Sequence, residues 1–388
     1  MVESRQVPSC SAYCACAPDF HAKRVSMRSS SADGVKEGLA AEEIRKSEYT
    51  NLPDYDSLPP VKGMPRGCAW GIFDRDGKKD HIGCLNLLTP SVVRAALKEA
   101  ETGQSVSLNW PINAIHMPGF QRAGLKHTVF SFSDTPSKVH GFDDEIFFNT
   151  QCSSQWDSLV HFAHQPSGLS YNGVRPTKAA LLQAETPFHK DTDLPTLDHW
   201  HSRGGLVGRG VLLDYQAYAD AHGRKYSPFE THKITVADLE AVAQWENVEL
   251  RQGDIVLIRS GFTKGLQEAA TPEKQAQCMA SHRTVGVEGK EATAKWFRNK
   301  HFAAVAGDAI AFECLPPSKE DGTEGTIGEL VLHQYFLGLF GLNIGDLWDL
   351  EALSRLCAEK KRYSFLLTSC PLNVPGSVGS PPNALAIF

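Results

Sequence analysis

Residues 149–164 form the segment in which side chains capable of chemistry are densest. Amide, carboxylate and imidazole groups are mixed there with Trp, Leu, Val and Phe, which indicates that some of the polar groups are buried. A buried polar group without a partner costs roughly 1–3 kcal/mol, so it needs a hydrogen bond or a metal ion. Gln151, Gln155, Asp157 and His161 share odd parity and project to one face wherever the backbone is extended. The spacing predicts that these four side chains converge.

Two side chains of this segment, Asp157 and His161, are the candidates for acid–base work, because an imidazole titrates near neutrality. The alternative interpretation is that His161 and His164 are ordinary histidines with local partners. The convergence of four polar groups favours a site. Cys152 lies in the same segment without a histidine at a productive spacing, and we interpret it as a small buried thiol.

Short apolar runs predict the strands that position this segment. Each run is bounded by turn-forming or charged residues and suits a strand buried on at least one face. The predicted strands are residues 104–109, 209–214, 254–259, 302–306 and 364–368. The glycine-rich stretch 204–210 is interpreted as a loop, because it precedes a strand and so cannot present helix N–H groups to a phosphate.

Helical patterns lie between several of these strands. Thr89 followed by Pro90 is a strong helix start, because proline at the first helical position has no N–H to leave unpaired. Further helices are predicted over residues 235–248 and 288–300, and the apolar run 330–344 is interpreted as one buried helix. The alternation of strands and helices predicts an α/β fold with catalytic groups at strand ends and in loops.

The composition excludes several classes of protein. The chain has 388 residues, 41% of them hydrophobic and 22% charged, which is typical of a folded domain with a sizeable core. The net charge is −6 and the basic residues are spread along the chain, so nucleic acid is not an expected partner. The run 330–344 is shorter than the roughly 18 residues that cross a bilayer, so no membrane span is expected.

Cysteine usage and the N-terminus bear on location and domain organisation. The ten cysteines are irregularly spaced and include no C-x-x-C, and no secretory signal precedes them, so we predict reduced thiols in a cytoplasmic protein. Residues 1–48 are serine-rich and lack any period, which predicts a flexible leader. No linker or repeat divides the remainder, so residues 49–388 are predicted to be one catalytic domain.

Residues 151–161 resemble a degenerate copy of the H-x-G-T-H-x-D-x-P-x-H motif of the cyclase family, which includes bacterial kynurenine formamidase and isatin hydrolase. Gln151 stands at the first histidine of that motif and Gln155 at the second. Asp157 stands at the aspartate and His161 at the last histidine, whereas Leu159 replaces the proline. Two of the five polar positions of the motif are therefore kept.

Other segments, in the same order along the chain, strengthen the resemblance. Residues 80–90 resemble the family's D-x-x-G-x-L-N-x-L-T-P segment, and residues 253–261, His333 in its apolar run and residues 379–384 resemble later segments. The resemblance covers residues 52–388. It is greatest to the longer, glutamine-bearing branch found in filamentous fungi.

The resemblance implies a swivelling β/β/α fold and a homodimer or higher homo-oligomer. It implies a hydrolase that acts on an amide, lactam or lactone of a small metabolite, for example in secondary metabolism. His161 would be the general base, and Asp157 a metal ligand or an orienting acid. The implied metal ligands are Gln151, Gln155, Asp157 and His333. Carboxamide oxygens in place of two imidazoles favour manganese or magnesium over zinc, and binding of no metal is the alternative.

Several points stay open at this stage. Asp346 or Glu329 would supply the downstream acidic group of the family. The residues that the resemblance suggests for substrate binding are Trp70, Trp156, Tyr171 and Asn172. Besides a metal-assisted hydrolase, two readings of the function remain: a metal-free cyclase or lyase that uses His161 and Asp157, and a non-catalytic relative that binds a ligand.

Overall fold

The computed structural model describes residues 49–183, 193–319 and 321–388. Within them, one continuous cluster of buried apolar side chains runs from Tyr49 to Phe388. The predicted leader, residues 1–48, lies outside the described residues. The predicted mixture of strands and helices is confirmed.

The strands form one large sheet and two small ones. The strands, numbered in chain order, are β1 (Ser105–Ser107), β2 (Lys126–Ser131), β3 (Phe142–Phe147), β4 (Gln155–Asp157), β5 (Leu206–Leu213), β6 (Lys233–Ile234), β7 (Ile255–Ile258), β8 (Gly286–Val287), β9 (Ala304–Gly307), β10 (Asn343–Asp346), β11 (Ser364–Ser369), β12 (Gly379–Ser380) and β13 (Ala384–Ile387). The large sheet has nine strands in the order β1-β13-β11-β5-β7-β9-β10-β4-β12. Among the described strands, β2 pairs with β3 and β6 pairs with β8 in two separate sheets.

Four central strands of the large sheet, β5, β7, β9 and β10, are parallel, and the strands on both sides of them are antiparallel. The parallel strands are buried except at Val207 near the start of β5, as expected for strands covered on both faces. Strand β4 lies beside β10 near one edge of the sheet. The polar segment is therefore attached directly to the parallel core.

The α-helices of the described residues connect or flank these strands. They are α1 (Pro90–Ala96), α2 (Lys178–Gln183), α3 (His199–Ser202), α4 (Tyr215–Ala221), α5 (Val236–Trp245), α6 (Phe262–Glu268), α7 (Pro272–Met279), α8 (Glu291–Lys300), α9 (Val331–His333) and α10 (Glu351–Lys360). The predicted start of α1 is confirmed, since the Thr89 hydroxyl accepts the Val92 N–H at 3.4 Å. Helix α5 begins with a capping box between Thr235 and Asp238.

The interpretation of residues 330–344 as one buried helix is wrong in part. Helix α9 continues into a π-helix over Gln334–Phe340, and β10 begins at Asn343. Gly341 ends the helix in the left-handed region, with φ of 71°. A Cβ at this position would lie 2.8 Å from the Gly83 Cα, so glycine also permits a close backbone approach. Apolar composition alone does not reveal this change from helix to strand.

The interpretation of residues 204–210 as a loop is also wrong in part. Gly204 and Gly205 form a turn with φ of 95° and 80°, but β5 begins at Leu206. The glycine at position 210 lies inside that strand, where a Cβ would come within 2.3 Å of the Phe365 ring on β11. Here glycine serves close packing between strands rather than a loop.

Two further predictions concern thiols and membranes. All seven cysteines within the described ranges are free thiols, as predicted, whereas Cys10, Cys14 and Cys16 lie outside those ranges. Across the part of the chain that the structure describes, no helix combines the length and apolar character needed to cross a bilayer.

Candidate active site

Strand β4 presents two polar side chains on one face and a tryptophan on the other, because successive residues of a strand alternate. Gln155 and Asp157 are almost fully buried. The antiparallel register pairs Gln155 with Asp346 of β10, and opposed residues of such a pair share a face. The Gln155 amide accordingly donates to Asp346 Oδ2 at 3.3 Å.

Three buried side chains, Asp157, His333 and Asp346, form the centre of the site. Each offers one potential ligand atom, and these atoms lie within 4.8 Å of one another. Three buried oxygens at this point have no hydrogen-bond partner: Gln155 Oε1, Asp157 Oδ2 and Asp346 Oδ1. Unpaired buried carboxylate oxygens are costly unless a cation or a proton compensates them. The donor set therefore fits a divalent cation.

A buried carboxylate, Glu313, holds His333 in place. It accepts the backbone N–H groups of Val331 at 2.9 Å, Leu332 at 3.1 Å and His333 at 2.8 Å. It also lies 2.8 Å from His333 Nδ1, which leaves Nε2 as the ring atom available to a ligand. Orientation of a ligating imidazole by a second carboxylate is common at metal sites. The sequence interpretation missed Glu313, although a lone acid within the apolar run 309–315 is a signal that could have identified it.

Burial and neighbouring charge raise the pKa values of two groups in this centre, His333 and Asp346. Burial disfavours the imidazolium form of His333, but the hydrogen bond and charge of Glu313 outweigh it and raise the pKa. Burial, together with the charge of Asp157, raises the pKa of Asp346 to about 7. Two facing carboxylates are thus compensated near neutral pH either by a cation between them or by one shared proton.

The side chain of Gln151 joins the site as a hydrogen-bond donor. Arg122 donates to its Oε1 at 3.2 Å and to its backbone carbonyl at 3.0 Å. Since a guanidinium only donates, the amide oxygen must face Arg122 and the NH2 group must face the site. That NH2 group donates to Asp157 Oδ1 and lies 3.0 Å from His161 Nδ1. The Gln151 oxygen is therefore engaged by Arg122 rather than directed at the centre, and the prediction that Gln151 is a metal ligand stays untested.

The predicted base, His161, lies at the rim of this centre. A turn closed by its backbone N–H and the Ser158 carbonyl brings the ring beside β4. His161 Nε2 is 3.9 Å from Asp157 Oδ2, and the side chain is 20% exposed. Burial lowers its pKa more than the charge of Asp157 raises it, so the imidazole is neutral near pH 7. A neutral imidazole at the rim is able to accept a proton.

The predicted substrate residue Trp156 is part of the core instead. It has no exposed surface, and its ring packs at 4.9 Å from that of Trp348 and at 5.3 Å from that of Trp200. Alternation along β4 points it away from Gln155 and Asp157. The proximity of Trp156 to the polar motif in sequence therefore does not bring it to the site.

The other predicted substrate residues hold loops together. Tyr171 is fully buried and donates to Asp80 at 3.1 Å, and Asn172 binds Asp74 at 2.8 Å. Both side chains are thus used within the fold, and their contact with substrate stays a prediction. Trp70 donates to the Gly338 carbonyl at 2.8 Å and is partly exposed, so its contact with substrate stays a prediction.

The structure also separates the two candidates for the downstream acid. Asp346 lies in the centre of the site, as described above. Glu329 is exposed and caps a short 3₁₀-helix by accepting the Thr326 N–H at 2.8 Å. Asp346 is therefore the acid that the site contains.

The Cyclase family model matches residues 106–314, which is more than half of the chain. The chain belongs to the cyclase family. It is accordingly an enzyme of the hydrolase or cyclase type, as predicted. The matched region includes β4 and Glu313, whereas His333 and Asp346 follow it.

Solved structures show the same cyclase fold. A crystal structure described as a novel cyclase is 29% identical, with a TM-score of 0.68 over 83% of this chain and 99% of that chain. Isatin hydrolase A from Ralstonia solanacearum is 14% identical, with a TM-score of 0.51 over 77% of this chain and 97% of its own, a likeness of fold alone. No curated protein sequence matches the chain.

Proposed function

We propose that this cyclase-family enzyme is a divalent-cation-dependent hydrolase that cleaves an amide, lactam or lactone bond of a small metabolite. The observation that carries the proposal is the set of buried, unpaired oxygens of Gln155, Asp157 and Asp346 beside a histidine held by Glu313. Burying these unpaired oxygens costs folding free energy, and a bound cation would compensate that cost. The cytoplasmic location and a role in secondary metabolism stay predictions.

Four atoms of the chain would hold the cation: Asp157 Oδ2, Asp346 Oδ1, Gln155 Oε1 and His333 Nε2. Three of the four donors are oxygens, two of them from carboxylates. Hard oxygen ligands suit Mn²⁺ and Mg²⁺, whereas Zn²⁺ sites are usually built from sulfur and several imidazoles. The proposal therefore names Mn²⁺ or Mg²⁺.

A bound divalent cation would polarise the substrate carbonyl and lower the pKa of water at the site. His161, neutral near pH 7, accepts the proton that the attacking water loses and returns it to the leaving nitrogen or oxygen. Gln151 donates to Asp157 Oδ1, which leaves Oδ2 directed at the centre. Arg122 fixes the orientation of that amide.

A metal-free lyase or cyclase is the second candidate, and one observation favours it. The pKa of Asp346, about 7, allows the Asp157–Asp346 pair to share one proton when no cation is present. Acid–base work by this pair together with His161 would then replace cation chemistry.

The test is titration of chelator-stripped protein with Mn²⁺, Mg²⁺ and Zn²⁺ by calorimetry, followed by turnover assays on a panel of N-acyl amides, lactams and lactones. We expect one Mn²⁺ or Mg²⁺ per chain and turnover that a chelator abolishes. Asp157→Asn should weaken cation binding at least about 100-fold, since loss of a mere supporting partner costs 10–100-fold.

Asp321→Asn, at an exposed aspartate, is the matched control and should bind as the wild type does. Full turnover by protein that binds no cation would contradict the hydrolase proposal and support the metal-free candidate.

A further inference from the structure

The described residues enclose a cavity that is separate from the candidate active site. It has a volume of about 630 Å³, within the range of roughly 300–1,000 Å³ that is typical of small-molecule sites. Residues 82–93, around the start of α1, and residues 202–207, at the turn before β5, supply most of its lining. None of the active-site side chains described above lines it.

The lining combines apolar side chains with a few polar groups. Leu85 and Leu88 supply apolar surface, and Asn86 offers an amide. Arg75 and Arg203 also line the cavity, whereas no aspartate or glutamate among the described residues does. Apolar walls with a few polar groups are typical of sites for small organic molecules, and this balance of charge favours an anion.

Arg203 is the charged group that indicates the kind of ligand. Its guanidinium donates to the Gly205 carbonyl and, at 3.0 Å, to the Leu88 carbonyl, which uses two of its five N–H groups. Both acceptors belong to the backbone. Burial lowers the pKa of Arg203, and among the described residues no carboxylate opposes this shift.

Two other buried arginines show how the chain usually compensates such a charge. Arg209 lies 3.0 Å from Glu99 and 2.8 Å from Asp254, and Arg259 likewise contacts two carboxylates. Pairing of this kind offsets the cost of removing a guanidinium from water. Arg203 lacks it within the described residues, so the carboxylate of a ligand would supply the missing compensation.

The turn before β5 fixes the Arg203 side chain before any ligand binds. Gly204 and Gly205 both adopt left-handed backbone conformations, with φ of 95° and 80°. This turn brings the Gly205 carbonyl to the guanidinium of Arg203, and the Leu88 carbonyl holds the same group from another segment. A side chain that is already ordered loses little conformational entropy on binding.

We infer that this cavity is a binding site for a small organic carboxylate with an apolar body. A carboxylate carries the one negative charge that a single guanidinium compensates, and it accepts charge-assisted hydrogen bonds from the remaining N–H groups. The apolar side chains of the cavity would contact the rest of the molecule. Inorganic phosphate has no apolar body and fits this lining less well. The inference does not depend on the proposed function.

The first test is calorimetric titration of the full chain with 3-phenylpropionate. A chelator removes cations beforehand, so that the probe cannot bind a metal at the candidate active site. We expect saturable binding of one molecule per chain. The neutral analogue 3-phenylpropionamide should bind at least about tenfold more weakly, because charge-assisted hydrogen bonds are roughly twice as strong as neutral ones.

Three results of this titration would overturn the inference. They are a lack of saturable binding, equal affinities for the acid and its amide, and binding of inorganic phosphate that 3-phenylpropionate does not displace.

Variants then locate the binding. Ser202→Glu adds a carboxylate to the lining of the cavity and keeps Arg203, so it should weaken binding of 3-phenylpropionate at least about tenfold. Arg203→Met should weaken it as much by removing the charge. Arg251→Met, at an arginine outside the cavity whose side chain is 55% exposed, is the matched control and should bind as the wild type does.

Far-UV circular dichroism checks that each variant is folded. If Arg203→Met does not fold, Ser202→Glu decides alone, since it leaves both hydrogen bonds of the guanidinium in place. Unchanged affinity in Ser202→Glu would overturn the inference.

Discussion

Alternate residues of strand β4 serve opposite purposes. Gln155 and Asp157 face the centre of the site, while Trp156 between them packs into the core. The odd-parity pattern predicts this division for the polar residues because strand geometry fixes it locally. The same alternation places Trp156, at an even position, on the opposite face, so a role for Trp156 in substrate binding conflicts with the pattern that identifies Gln155 and Asp157.

Arg122 should affect catalysis through its hydrogen bond to the Gln151 amide. We expect Arg122→Ala to lower kcat about tenfold, corresponding to ~1.4 kcal/mol, because the Gln151 amide is then free to rotate away from Asp157 and His161. Cation affinity should change little, since Arg122 is not a ligand. Arg122→Lys should restore part of the activity by donating one hydrogen bond.

Steady-state kinetics with calorimetry on the same samples separates these effects. Arg66→Ala, at an arginine whose side chain is 69% exposed, is the control. Equal losses of kcat and of cation affinity in Arg122→Ala would show that Arg122 supports the whole site rather than the amide.

The sequence could not have predicted every residue of the site. Asp157 and His161 are four residues apart, so local spacing reveals them. Glu313 and His333 are twenty residues apart and meet only because the chain returns to the end of the sheet. Arg122 lies in a loop without any period, and its contact with Gln151 depends entirely on tertiary structure.

At the scale of elements, the helix caps were the most predictable features, because a threonine followed by proline or by an acid acts within one turn. The strand at Gly210 and the helix end at Gly341 were not, because each depends on a partner from a distant segment, Phe365 or Gly83. Glycine marks both a turn and a tight contact, and the sequence alone does not distinguish them.

Helix α5 ends at a buried acid that should make stability depend on pH. Burial raises the pKa of Glu246 to about 9, although its Oε1 accepts the Asp214 N–H at 2.9 Å. Between the unfolded pKa of about 4.5 and the folded value, the folded chain keeps a proton that the unfolded chain releases. The free energy of unfolding should therefore fall as pH rises, by up to about 1.4 kcal/mol per pH unit from this group.

Glu246→Gln keeps the acceptor oxygen and cannot ionise, so its unfolding free energy should fall less steeply between about pH 5 and pH 8.5. Urea denaturation at several pH values measures the difference. Glu249→Gln, at a side chain 72% exposed, should follow the wild type. Parallel pH profiles for wild type and Glu246→Gln would contradict the assignment.

For the whole molecule, cation binding and folding should be linked. A cation at 100 times its dissociation constant stabilises the folded state by about 2.7 kcal/mol. For a chain of this size, that corresponds to a rise in melting temperature of roughly 3–4 °C. Scanning calorimetry with Mn²⁺ should show the rise in wild type and little or none in Asp157→Asn.

Without cation, the Asp157→Asn variant should be more stable than the wild type, because the substitution removes one of two facing carboxylates. The chelated variant is expected to melt above the chelated wild type. A wild type that melts at the same temperature with and without Mn²⁺ would argue against the cation site.

The overall architecture was predictable in kind but not in arrangement. Alternating apolar runs indicate an α/β fold, and the motif at residues 151–161 indicates the family. The sheet nevertheless joins β1 to β13, which are far apart in the sequence, and leaves β2 and β3 apart. Pairing between distant strands depends on the tertiary structure, so local sequence patterns do not predict it.

The carboxylate of Glu313 couples the folding of the first turn of α9 to the orientation of the His333 ring. It accepts three backbone N–H groups at the start of α9 and also contacts the ring of the histidine that ends this helix. The first turn of the helix and the orientation of the imidazole therefore form and break together. We therefore expect a rotation of the His333 ring away from the centre to cost the same carboxylate contact that begins the helix, so that local unfolding of this turn and loss of the imidazole from the centre occur together.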